Sequence, residues 1–122
     1  MNDVFHGLPR RVKIGQYTFR VLVSNATEVP ILEDCDGITD FETFRIYVDE
    51  SLHRQRAVNV VQHELTHAIN WVYGISDGAE EEHITTQHTN GQIELWVSNP
   101  KVVNWFVKTL RAMRRENSKD DE

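Results

Sequence analysis

The sequence predicts an α+β fold, a small antiparallel or mixed sheet followed by helices, and three observations carry that expectation. Alternation of apolar with polar residues is confined to the stretch before Ser51, and helical three-and-four spacing takes over after it. The chain has 122 residues, 39% of them hydrophobic and 26% charged, which suits one core rather than two. It is therefore read as a single domain over 1–122, with the polar run 116–122 as an unstructured tail.

Val12-Lys13-Ile14 and Tyr17 to Val23 are rich in β-branched and aromatic residues, and with Gly15-Gln16 between them they predict a hairpin. Asn25 to Asp40 is acidic, holds Pro30 and Gly37, and reads as a loop with a short strand at Gly37-Ile38-Thr39. Thr43 to Val48 alternates again, with Phe44, Ile46 and Val48 on the buried side. From Ser51, the residues Ala57, Val60, Val61, Glu64, Ala68 and Trp71 form a helical stripe that Gly74 stops. A second helix is expected from Asp77, with Glu80 completing a capping box, to about Ser98. Pro100 opens a third, whose apolar stripe is Val102, Val103, Phe106, Val107 and Leu110.

The net charge of −6 argues against a nucleic-acid partner, because affinity for phosphates needs clustered cations. The local exception, Lys108, Arg111, Arg114 and Arg115, reads as a solvated helix face that complements the C-terminal dipole. A lone Cys35 forms no internal disulfide, and its acidic neighbours Asp34 and Asp36 disfavour the reactive thiolate. Met1 to Arg11 lacks an apolar signal core, so a cytoplasmic location is expected, the host cytoplasm if the protein is phage-encoded. No apolar run approaches the roughly 18 residues that span a bilayer, so no membrane role is expected.

The residues that carry chemistry are His63-Glu64-Leu65-Thr66-His67. Histidines four apart lie on one helix face and can share a metal ion, and the intervening glutamate is placed to take a proton from a water molecule. Catalytic zinc takes three protein ligands and keeps an open position, and it acidifies water and polarises carbonyls. Asn70 and Tyr73 stand where the extended HExxHxxGxxH pattern requires glycine and a third histidine, so the third ligand lies elsewhere. The candidates are Glu80, Glu81, Glu82, His83 and His88. Glu80 is engaged by the cap, whereas Glu81 shares a stripe with Ile84, His88, Gly91 and Leu95 and is the preferred ligand, with Glu82 next. His88 and, less directly, Tyr73 and His83 could touch substrate; the competing reading makes them packing or surface residues. His6 and His53 fall outside the site.

The motif, the turn after it, Glu81-Glu82 and a helix ending at Ser98-Asn99-Pro100 resemble the zincin-like minimal gluzincins. The nearest likeness is to small phage-encoded predicted metallopeptidases, and a more distant one is to the ImmA/IrrE peptidase domain. The resemblance covers roughly Phe44 to Trp105. It implies zinc as cofactor, a peptide or protein substrate, Glu64 as general base, and a metal held between the motif helix and the glutamate helix. It also implies an edge strand beside the cleft, for which Thr43 to Val48 is the expected segment. The alternative reading is a catalytically silent zincin-fold module that binds or regulates a partner.

Overall fold

The computed structural model describes residues 3–75 and 81–120. Strands β1 (Arg11–Ile14), β2 (Tyr17–Ser24), β3 (Gly37–Asp40) and β4 (Arg45–Asp49) precede helices α1 (Arg54–Val72), α2 (Glu81–Ser98) and α3 (Pro100–Asp120). Short 3-10 turns lie at Asp3–Phe5 and Pro30–Glu33. The architecture is α+β, as the change of period at Ser51 predicts.

The hairpin forms with Ile14 opposite Tyr17 across a two-residue turn. Gly15 has φ +60°, the positive value that the first central position of a II′ turn demands and that glycine adopts without steric cost. The sheet order is β1-β2-β4-β3; β2 and β4 run parallel, and the outer pairs run antiparallel. This order corrects one expectation. The segment containing β4 is hydrogen-bonded on both sides, so Thr43 to Val48 is not an edge, and the edge strand on that side is β3. Its only sequence signal is a short β-branched run inside an acidic loop, whereas the apolar β4 is the better candidate for a doubly covered position.

One face of the sheet, with Val12, Ile14, Phe19, Val21, Ile46 and Val48 all buried, packs on the helices. From α1 it meets Ala57, Val60, Val61, Leu65, Ala68 and Ile69, and from α2 and α3 it meets Leu95, Val102 and Trp105. At the end of α1, Gly74 at φ +69° lets its own N–H reach Trp71 O and that of Ile75 reach Asn70 O at 2.8 Å, a Schellman ending. Trp71 departs from the expected stripe, being 43% exposed. It closes an aromatic cluster instead, stacked on Phe41 at 5.3 Å and edge-on to Tyr17 and Phe44. Phe44 sits in the turn between β3 and β4 at φ +56°, an unusual value for a non-glycine residue, with its ring stacked on Tyr17.

Helix α2 lies close against α1 through Gly91, where a methyl group would stand 2.5 Å from Ile69 Cγ2. Helix α3 buries Val102, Trp105 and Thr109, while Val107 and Leu110 are exposed. The buried stripe is thus rotated by about one residue from the predicted one. Thr109 can occupy a core position because its hydroxyl donates to Trp105 O at 2.7 Å, and Trp105 Nε1 donates to Val4 O at 2.9 Å. The helix also continues to Asp120 through most of the predicted tail, with Glu116 paired to Arg54.

Candidate metal and catalytic site

His63 and His67 project from the exposed side of α1, four residues apart. Their Nε2 atoms stand 3.0 Å from each other with the rings nearly perpendicular, at 86°. A hydrogen bond at this distance requires one of the two nitrogens to carry the proton and the other to accept it. Two imidazoles bound tetrahedrally to zinc at about 2.0–2.1 Å place their nitrogens roughly 3.3 Å apart, so small adjustments of the side chains accommodate the metal. The pair fits zinc.

Glu64, between them in sequence, turns toward the sheet and is only 5% exposed. Its Oε1 accepts a hydrogen bond from Thr39 Oγ1 at 2.9 Å, and the same hydroxyl lies 3.2 Å from the Glu64 carbonyl. Both histidines and Glu64 line a cleft of about 320 Å³ whose other wall is Gly37, Ile38, Thr39 and Phe41. The cleft therefore runs between α1 and the outer edge of β3. Beyond Gly37 it opens into a larger concavity of about 580 Å³ walled by Glu33, Asp34, Asp36 and Asp49, with Arg56 bound to Asp36 at 2.6 Å.

Among the described residues, no group of three His, Cys, Asp or Glu side chains is arranged to hold a metal. Glu81 and Glu82 occupy the first turn of α2, but their side chains, like the expected cap Asp77 and Glu80, lie outside the described residues. His83 is exposed. His88 is half-buried, 3.5 Å from Asn70 Oδ1, which puts it on the α1-facing side of α2. Tyr73 donates to Glu94 at 3.3 Å; burial, with the adjacent Glu94 charge, raises its pKa. That places Tyr73 in a packing role. His53 occupies the N-cap position of α1 without a side-chain capping bond, His6 offers its carbonyl to Lys108, and neither lines the cleft.

Gly37, Thr39 and Phe41 are the cleft residues that the motif does not announce. A period of two along a strand puts 37 and 39 on one face, but nothing local says that this face meets Glu64. Cys35 lies in the neighbouring loop and lines the larger concavity, its Sγ 3.3 Å from Ile31 O.

Comparison with family models, with curated proteins and with solved structures returns no match. Among the described residues, no helix is long and apolar enough to cross a membrane.

Proposed function

We propose that the chain is a zinc-dependent metallopeptidase with a zincin-like, minimal gluzincin architecture. The observation that carries this reading is the pair of Nε2 atoms 3.0 Å apart on α1, with a buried carboxylate beside them facing an open strand edge. His63 and His67 would hold the ion. Glu81 completes the set in this proposal, because it lies seven residues before His88, nearly two helical turns, and so shares the phase of the residues that face α1. Zinc held there supplies a more acidic water and a polarised carbonyl.

The remaining work falls to the chain. An extended peptide adds to β3 through main-chain hydrogen bonds, which brings a scissile amide along the cleft without demanding one particular side chain. Glu64 would take a proton from the attacking water as the new C–O bond forms and then return it to the amide nitrogen, after which the C–N bond breaks and the amine leaves.

The test is metal analysis of protein purified without chelator, combined with digestion of a random octapeptide pool read by mass spectrometry. One zinc per chain is expected, lost in the double variant His63→Ala with His67→Ala. Glu64→Gln should keep the zinc and slow cleavage by about 100-fold or more. Zinc retained by the double variant would show that the site is misplaced. Cleavage indifferent to Glu64→Gln would remove Glu64 from the mechanism, and zinc binding with no cleavage of any pool peptide would favour the silent binding module.

A further inference from the structure

The short strand β3 packs against α1, and Gly37 and Thr39 both lie beside the same glutamate. Thr39 places its hydroxyl 2.9 Å from Glu64 Oε1. Two positions earlier on the same strand face, Gly37 leaves no room for a side chain. A methyl group there would stand 2.8 Å from Val60 Cγ1, 3.2 Å from Glu64 Cγ and 3.1 Å from the Tyr47 carbonyl oxygen. The Gly37 backbone is not in the positive-φ region, so the glycine serves the close approach of strand to helix rather than a turn.

A glutamate side chain has three rotatable bonds, and a general base is useful only when its oxygen points at the proton it must take. Here one oxygen is tied to Thr39. No hydrogen bond to the other is seen among the described residues, and the side chain lines the cleft beside the two histidines. A carboxylate held by one oxygen and free at the other is oriented without being used up.

We propose that Gly37 and Thr39 are positioning residues for Glu64: the glycine lets β3 approach α1, and the threonine hydroxyl then holds the carboxylate with one oxygen toward the substrate. The inference rests on the peptidase reading for its catalytic consequence. Its geometric content stands apart from that reading and is tested separately.

The first measurement uses the full chain stripped of metal with a chelator and unfolded in urea. Thr39→Val should lower the midpoint more in the wild-type background than when Glu64 is already alanine, because only the contact with the residue-64 carbonyl is then left to lose. Equal shifts in both backgrounds would overturn the proposal.

The second uses zinc-loaded protein and one peptide that the wild type cleaves from the random pool. Thr39→Val should lower kcat by about 10-fold while KM stays within about 2-fold, since orientation of the base matters after binding. Zinc content should be unchanged, Thr39→Ser should restore kcat to within about 3-fold of wild type, and Gly37→Ala should resemble Thr39→Val. Wild-type kcat in Thr39→Val, or a serine variant as slow as the valine one, would overturn the role of the hydroxyl. Non-additivity in urea without cleavage of any pool peptide by the wild type would remove the peptidase reading and, with it, the catalytic role of the pair. Additivity in an active enzyme would remove the positioning role alone.

Discussion

β1 and β3 are the two edges of one sheet, and their outer sides are finished in opposite ways. On β1, the Asn99 side chain acts as a surrogate strand: its Oδ1 accepts from Lys13 N at 2.8 Å, and its Nδ2 donates to Lys13 O at 2.6 Å. The same Nδ2 donates to Leu95 O at 2.7 Å, tying the edge to the end of α2. Two residues along, Gly15 N donates to Glu94 Oε1, while Glu94 Oε2 accepts from Ser98 at 2.7 Å and Lys13 Nζ at 3.3 Å. Among the described residues, nothing comparable covers β3, although it borders His63, Glu64 and His67. Unpaired strand edges invite pairing with another chain, so proteins usually cover them. In the proposed peptidase, closing one edge and leaving the other open beside a carboxylate would direct that pairing to the cleft.

The largest contrast should appear in amide hydrogen exchange. The Lys13 and Gly15 amides, though on an edge strand, should be protected by roughly 100-fold more than the outward-facing amides of β3. Equal protection of the two edges, measured by NMR, would erase the distinction. The next effect is thermodynamic. Asn99→Ala orphans the Lys13 amide and carbonyl at a site only 8% exposed, and it should cost about 2–3 kcal/mol in urea unfolding while zinc binding at the far edge persists.

A smaller loss is expected from Gly15→Ala. Positive φ disfavours any side chain, and the new methyl would stand 2.7 Å from Val72 Cγ1, so about 1–2 kcal/mol should be lost. Smallest, and visible only in acid, is the contribution of Glu94. Burial pushes its pKa up, but the bonds from Gly15, Ser98 and Lys13 outweigh this and hold it below the ordinary glutamate value. A depressed folded-state pKa stabilises the fold above the unfolded pKa, and that stability is lost as pH falls through the folded one. Glu94→Gln should therefore flatten the acid limb of the stability profile; an unchanged acid limb would show that the clamp carries no linkage.

Much of the fold was legible because its signals are local. The Gly15-Gln16 turn, the switch of period at Ser51 and the stop at Gly74 each follow from backbone sterics within a few residues. The apolar stripe of α1 was also visible, except at Trp71, where an aromatic cluster formed by β2 and the β3–β4 turn keeps the indole at the surface. The stripe of α3 was misplaced by one residue. Two overlapping apolar rows run along that helix, and the lock of Asn99 onto β1, distant in sequence, fixes how the helix starts. Strand order was misjudged for a related reason, since alternation reports which face is buried but not which neighbours lie on either side.

The sequence by itself determined that His63 and His67 stand side by side with Glu64 between them: residues four apart on any helix share a face, so placing His63 beside His67 needs no knowledge of the rest. It also determined the class of fold, because hydrophobic period is a property of consecutive residues. Only the tertiary structure decided that β3, not β4, faces the cleft, that Thr39 and Gly37 meet Glu64, and that Asn99 seals the opposite edge. Each of these joins positions 25 or more residues apart in the chain. Such meetings depend on how packed layers settle against one another, and no local pattern of residue types encodes that.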